Sequence, residues 1–320
     1  MIDVVFLKYL EDNLIKVDQK MISRSEGCHP DLTVALEHLL KSGGKRVRPI
    51  ITLLMGSLLG AAEEKLISLS ASIELLHTAT LVHDDLIDGA LLRRGNPTLN
   101  SHWTPAATVL TGDYVFAQAA ILAAEIESSE AMSLFAQTLS TIVNGEISQL
   151  FGHNQLPSVD DYYQRIYEKT GSLFALSAKA AALISPVDAK YTDLAEIFGR
   201  EIGKAFQIVD DVLDFTGDPD RIGKPIGNDV RQGIPTLPAI LYGEQNPDDE
   251  VLLACLKGTT SEAATDELSE RINQSSAIQQ AMDEAKACIK KAVHSLEDFP
   301  EGKEKNSLEK LGSYIVDRDL

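Results

Sequence analysis

Apolar residues recur at spacings of three and four along most of this chain, and that periodicity restricts it to a helical architecture. Six runs carry the pattern most clearly: "VVFLKYLEDNLIKV", "PDLTVALEHLLK", "LISLSASIELLHTATLVHDDL", "AATVLTGDYVFAQAAILAAEI", "AMSLFAQTLSTIVNGEISQLF" and "DLAEIFGREIGKAFQIVDDVLDF". Alternating strand-like segments joined by Asn-Gly or Asp-Gly turns are missing, so no hairpin is expected. Gly43-Gly44, Pro105, Pro157, Pro186, Pro219 and Pro225 fall between the periodic segments as helix punctuation. The expectation is one all-α domain over residues 1–320, of roughly ten or more helices, with no low-complexity linker.

Charge and cysteine usage narrow the function classes. A formal net charge of −19 argues against a general nucleic-acid binder, because phosphate backbones need clustered Lys and Arg. It does not exclude a local basic pocket. Cys28, Cys255 and Cys288 match neither a metal spacing nor a disulfide framework, which points to a reducing cytoplasm. The first twenty residues show no basic leader before an apolar core, so no signal peptide is expected. No uncharged apolar run approaches the roughly 18 residues of a membrane span, so no transmembrane helix is expected either.

One internal echo carries chemistry. "LVHDDLID" at 81–88 returns as "QIVDDVLD" at 207–214, each placing Asp-Asp-x-x-Asp at the end of an apolar helical segment. Residues four apart on an α-helix lie within about 40° of one another, so Asp84 and Asp88 share a face, as do Asp210 and Asp214. Two carboxylates so placed repel, and a hard divalent cation removes the repulsion. Mg²⁺ takes one or two carboxylates together with waters and substrate phosphates, so two such faces could hold several ions around one diphosphate. A twelve-residue calcium loop is the weaker alternative, since neither triplet offers its alternate ligands and sixth-position glycine. A solvated helix end in an acidic protein remains the plain alternative for one triplet. It weakens because aspartate, a poor helix former, interrupts long apolar runs twice with the same spacing.

Basic residues gather near the same places. "SGGKRVRPI" supplies Lys45, Arg46 and Arg48 at the start of an apolar helix, with Lys45 and Arg48 three apart on one face. Arg93 and Arg94 follow the first triplet, and Lys169-Thr170 and Lys224 are further candidates. Guanidinium groups and helix N-termini both suit phosphate oxygens; any one of these cations alone reads first as a surface ion pair, and their association with two Asp triplets reverses that. His77 lies seven residues before Asp84 and Gln207 three before Asp210, each on nearly the same face as its aspartate. A core histidine and an interhelical hydrogen bond are their ordinary readings.

These segments together resemble the trans-isoprenyl diphosphate synthases, or polyprenyl synthetases. The segments are "GGKRVRP", "HDDLIDGALLRRG", "GEISQL", "YEKTGSLF", "FQIVDDVLDFTGD", "GKPIGNDVRQGIPTLP" and "YIVDRDL", and they run through nearly the whole chain. The resemblance implies an isoprenoid-synthase-type helical bundle around a deep central cavity, and a homodimer. It implies condensation of isopentenyl diphosphate with an allylic diphosphate, dependent on up to three Mg²⁺ ions for which Mn²⁺ can substitute. By matching positions, Asp84, Asp88, Asp210 and Asp214 would meet metal, with Asp85 and Asp211 in support. Lys45, Arg48, His77 and Arg94 would hold isopentenyl diphosphate. Arg93, Lys169 and Lys224 would grip the allylic diphosphate, while Thr170 and Gln207 would sit near the developing carbocation.

The segment "GIPTLP" departs from the family's common "GKxTLP" pattern, with Ile234 where lysine is frequent. Arg231, three residues earlier, is the residue that could compensate. The resemblance also speaks to product length. Bulky aromatics at the positions of Ala79 and Thr80 give short products in the family; both are small here, which points to a medium or long chain with the floor at Leu76 or Phe116. Competing functions are a geranylgeranyl or farnesyl diphosphate synthase, a terpene cyclase, and a non-catalytic subunit of a heteromeric synthase. Cyclases carry a different second metal motif, and non-catalytic subunits typically lack the aspartates that are intact here. No transmembrane segment is expected, so a polyprenyl product would pass to membrane enzymes.

Overall fold

The structure, a computed structural model, describes residues 5–41, 44–93, 95–151, 156–217 and 226–317. The described chain is helical nearly throughout. A 3₁₀ turn at Val5–Leu10 leads into α1 (Glu11–Ile22), α2 (Pro30–Lys41), α3 (Val47–Leu58), α4 (Glu63–Ile87), α5 (Pro105–Ala124) and α6 (Ser129–Leu150). Then follow α7 (Val159–Ile166), a π turn at Tyr167–Gly171, α8 (Ser172–Leu183) and α9 (Ala189–Thr216). The rest comprises α10 (Asn228–Arg231), α11 (Leu237–Gln245), α12 (Glu250–Leu256), α13 (Glu262–Gln274), α14 (Ser276–Ser295) and α15 (Lys303–Val316).

Helix starts follow local chemistry. Thr104 caps α5 by accepting from the Ala107 N–H, with Pro105 at the first helical position, where its missing donor costs nothing. Ser158 and Asp161 form a reciprocal capping box at the start of α7. Asp249 accepts from the N–H groups of Val251 and Leu252 to start α12.

One expectation fails. Leu92–Arg93 and Asn96–Pro97 form a two-stranded antiparallel ribbon, in the register Leu92 opposite Pro97 and Arg93 opposite Asn96. Strands of two residues are too short to show any alternation, and the turn carries Gly95 at φ +76°.

The chain divides into two compact units that are interleaved in sequence. The first comprises Met1–Leu139, Leu173–Gly199 and Leu296–Glu309. Its centre is α4, which packs on α1, α3 and α5. Leu66, Leu69, Ile73, Leu75, Leu76, Ala79 and Val82 of α4 are all buried, so this helix is apolar on most of its circumference. Ser72 Oγ donates to the Ala119 carbonyl at 2.7 Å, tying α4 to α5. Gly199 lets α9 approach α8: a Cβ there would stand 2.4 Å from the Phe174 carbonyl oxygen.

The second unit comprises Ser140–Ser172, Arg200–Ser295 and Lys310–Leu320. Its core gathers Phe215, Val230, Ala239, Tyr242, Leu252, Leu268 and Ile272 from α9 to α13. Two helices, α4 and α5, are long and apolar enough to cross a membrane by length and composition. The expectation of no such segment counted only uncharged runs, whereas α4 is apolar because most of it is buried inside its unit.

Candidate active site

The first aspartate triplet terminates α4. Asp88 is the C-cap and Gly89 follows in the left-handed conformation, at φ +63°. The Gly89 N–H donates to the Leu86 carbonyl and the Ala90 N–H to the Asp85 carbonyl, which is the Schellman pattern. Three carboxylates therefore sit at the negative end of a 25-residue helix dipole. That position is unfavourable for stability, and a bound cation would offset it. Asp84 is half-buried and Asp88 exposed, while Asp85 is only 8% exposed.

Asp85 is not directed outward. Its Oδ1 accepts from Arg93 Nε and lies 2.8 Å from Arg93 Nη2. Arg93, expected from the resemblance to grip a diphosphate, is thus engaged in holding the first triplet to the ribbon. Leu76 and Ala79 are fully enclosed, whereas His77, Thr80 and Phe116 are half-buried. Thr80 Oγ1 donates to its own helix at the His77 carbonyl, 2.8 Å away. Phe116 of α5 packs tilted against His83, with ring centroids 5.3 Å apart.

The "GGKRVRP" segment is organised around Arg46, which the sequence places among the basic residues without assigning it a role. Its backbone is left-handed at φ +51°, a conformation that costs a non-glycine residue about 1–3 kcal/mol. Its guanidinium offsets that cost. Nη1 donates to Glu74 Oε1 at 2.8 Å, Nε pairs with Asp18 Oδ1 at 3.1 Å and Nη2 donates to the Leu40 carbonyl at 3.2 Å. Burial raises the Asp18 carboxyl above its usual range, and the Arg46 charge works against that rise. Lys45 is exposed, and the Arg48 guanidinium lies over the Phe174 ring, 4.6 Å from its centroid. Removing Arg46 strands the buried Glu74, so Arg46→Ala is expected to destabilise the fold by about 3 kcal/mol or more in chemical denaturation. An unchanged denaturation midpoint would show that the triad contributes nothing.

The second triplet repeats the burial pattern on α9. Asp210 and Asp214 are half-buried and Asp211 is 2% exposed. Asp211 accepts two hydrogen bonds: Tyr162 Oη donates to Oδ2 at 2.7 Å and Gln207 Nε2 to Oδ1 at 2.8 Å. Burial pushes the Asp211 carboxyl up to about 8, the nearby Asp229 charge adds to the rise, and the two donors oppose it. Asp214 Oδ2 accepts from the Asp229 N–H at 3.2 Å, and its carbonyl accepts from the Gly227 N–H at 2.8 Å. Gly227 sits at φ +66° against Ser269, a position with no room for a side chain.

Lys169 and Thr170 lie in the π turn. Lys169 Nζ pairs with Glu146 Oε1 of the "GEISQL" segment at 2.9 Å. Thr170 Oγ1 donates to Gln207 Oε1 at 2.8 Å. Arg231, the suggested substitute for a lysine at Ile234, pairs with Asp266 and donates to the Ile226 carbonyl. Arg94 and Lys224 lie outside the described residues. Sequence reading missed Tyr162 and Asp229. Tyr162 stands eight residues before Thr170, a separation that signals no shared face on a regular helix.

Among the described residues no three His, Cys, Asp or Glu side chains gather into a self-sufficient metal cage. Each unit offers instead a pair of carboxylates four residues apart. That donor set fits Mg²⁺, which completes its shell with water and substrate phosphate oxygens.

A helical protein carrying two such carboxylate pairs, with Arg93 paired to the central aspartate of the first, has the parts of a diphosphate-handling transferase. The family model for polyprenyl synthetase matches residues 29–274, which draws on both units. Heptaprenyl diphosphate synthase component 2 of Bacillus subtilis is 33% identical over 311 residues, covering 97% of this chain and 89% of that protein. Octaprenyl diphosphate synthase of Haemophilus influenzae is 33% identical over 316 residues, covering 98% and 96%. The crystal structure of a polyprenyl synthase from Caulobacter crescentus, complexed with calcium and isoprenyl diphosphate, superposes with a TM-score of 0.92 at 33% identity. It covers 98% of this chain and 97% of that one. The chain belongs to the polyprenyl synthetase family. It is a trans-prenyltransferase with the helical isoprenoid-synthase fold, and it depends on a divalent metal.

Proposed function

We propose that the chain adds isopentenyl diphosphate repeatedly to an allylic diphosphate, in a Mg²⁺-dependent sequence of ionisation, condensation and proton loss. The observation that carries this reading is the shared burial pattern of the two triplets. In each, the central aspartate is buried and hydrogen-bonded within its own unit, whereas the outer two are half-buried or exposed. Asp84 with Asp88 and Asp210 with Asp214 would hold Mg²⁺. Bound there, the metal supplies neutralisation of the charge that develops on a departing diphosphate.

The remaining roles belong to the chain's own groups. Lys169, Arg93 and Lys224 bind oxygens of the allylic diphosphate. Lys45, Arg48, His77 and Arg94 hold isopentenyl diphosphate with its double bond beside the reacting carbon. The Thr170 hydroxyl donates a hydrogen bond to Gln207 Oε1, so its lone pairs point away from Gln207 and suit a developing cation. The released diphosphate takes the proton lost at the end. No Ser-His-Asp or Cys-His pair is required.

The product is a medium or long chain, about C30–C50, as in the relatives named heptaprenyl and octaprenyl synthase; each further CH₂ buried favours extension by ~0.8 kcal/mol. The protein works as a homodimer in the cytoplasm and passes its product to membrane enzymes. Exposed apolar side chains support the dimer: Val109 and Leu110 of α5 in one unit, and Val143, Ile147 and Leu150 of α6 in the other. The word "component" in the name of the Bacillus relative favours a second reading, in which a different subunit completes the enzyme.

The test is purified protein alone with labelled isopentenyl diphosphate and each short allylic primer, followed by product chromatography. Long polyprenyl diphosphates in Mg²⁺ and none in EDTA are expected. Activity only after a second protein is added would favour the heteromeric reading. Lys45→Ala is expected to raise KM for isopentenyl diphosphate about tenfold, the worth of one charged hydrogen bond, with little effect on the allylic primer. Equal losses for both substrates would contradict separate basic pockets.

A further inference from the structure

Tyr162 has no place in the roles assigned so far, yet it is tied by an unbroken hydrogen-bond chain to the side chains placed nearest the reacting carbon. Its ring is fully buried on α7, and its hydroxyl donates to Asp211. Asp211 fixes Gln207 in turn. The Gln207 amide nitrogen donates to Asp211 Oδ1, and its oxygen accepts from Thr170 Oγ1. The result is a closed ladder. Tyr162 and Thr170 stand on one run of helix, Asp211 and Gln207 on another, with two rungs between the runs and a third bond along α9.

The π turn explains how both rungs reach the same helix. Residues eight apart on a regular α-helix lie about 80° from each other. A turn that closes i to i+5 advances less per residue and brings Thr170 back towards the side of Tyr162. Arg165 lies over the Tyr162 ring, 5.7 Å from its centroid, and donates to the Pro235 carbonyl, which fixes α7 from its other side. Asp211 is thereby committed to Tyr162 and Gln207, while its neighbour Asp210 remains half-exposed.

We infer that Tyr162 is a positioning residue for the prenyl transfer. Through Asp211 it holds the Gln207 amide in the one orientation that leaves the Thr170 oxygen lone pairs turned to the substrate. This rests on the reading that Thr170 and Gln207 face the developing cation. Losing the hydroxyl frees Asp211 to move and Gln207 to turn over, so the cost falls on the step that generates charge and not on substrate binding.

The experiment is a double-mutant cycle of Tyr162→Phe and Gln207→Ala, with kcat and both Michaelis constants measured and thermal melts recorded. Tyr162→Phe is expected to lower kcat roughly ten- to hundred-fold, the range seen when a supporting partner is lost, with both Michaelis constants near wild type. In the Gln207→Ala background the same substitution is expected to change kcat little. An equal kcat loss in both backgrounds would overturn the inference, because Tyr162 would then act without Gln207. So would a Tyr162→Phe enzyme with wild-type kcat while Gln207→Ala is impaired. If Gln207→Ala itself has full activity, the underlying reading of the site fails, which is a separable result. Should Tyr162→Phe not stay folded at the assay temperature, Asp211→Leu, of similar size and with no hydrogen-bonding group, breaks the same chain without altering the ring, and the same dependence on Gln207 is required of it.

Discussion

Asp210→Ala is expected to lower turnover by about a thousand-fold or more while leaving the helical circular dichroism and the melting temperature close to wild type. A metal at this position is assigned several kcal/mol of charge stabilisation, and each 1.36 kcal/mol is a factor of about ten in rate. The same size of loss is expected for Asp84→Ala. Stability should hold in both variants, because like charges at i, i+4 destabilise a helix by about 0.2–0.5 kcal/mol and Asp84 also opposes the dipole of α4. The two properties should part company at the central residue. Asp85→Ala removes the acceptor of Arg93 and should lower the melting temperature as well as activity. Full activity of Asp210→Ala, or of wild type in excess EDTA, would remove the metal from the mechanism.

The contrast between outer and central aspartates marks where sequence reading stops. Helical spacing places Asp84 with Asp88 and Asp210 with Asp214, and the structure keeps each pair within one helix end. Spacing says nothing about partners from elsewhere in the chain. Arg46 reaches Glu74 across 28 residues, and Arg93 reaches Asp85 through the turn at Gly89. The resemblance assigns Arg93 to a diphosphate and gives Arg46 no role; folded, each pairs with a carboxylate of its own unit, which spacing does not announce. The π turn was equally hidden, since an i to i+5 closure has no residue signature, and without it Tyr162 and Thr170 do not fall on one side. What the pattern did expose was the apolar character of α4, which follows from its burial on nearly every side.

Product length should respond most to Thr80. This residue stands one turn, about 6 Å, before Asp84 on α4. Its hydroxyl is spent on the His77 carbonyl, so it offers its methyl group to its surroundings, as an apolar wall requires. It is half-buried, whereas Ala79 and Leu76 are enclosed completely. A prenyl tail whose diphosphate is held at Asp84 can therefore meet Thr80 without displacing core atoms. Burial of each CH₂ favours extension by ~0.8 kcal/mol, so a chain grows until a side chain blocks it. Thr80→Phe puts an aromatic ring at that point. The expected product shortens towards about three or four isoprene units, as the family resemblance implies for an aromatic side chain at this position. The first condensation should be little slowed, since short primers do not reach the ring. Ala79→Phe, which the family resemblance also marks, acts on a position with no space. There the ring must be forced into the core of the unit, at a cost of about 1–3 kcal/mol, so lost stability should accompany any change in length. Chromatography of the products with a melt of each variant separates the two cases. An unaltered product distribution from Thr80→Phe would mean that the tail does not run along α4, and the length determinant would have to lie on another helix.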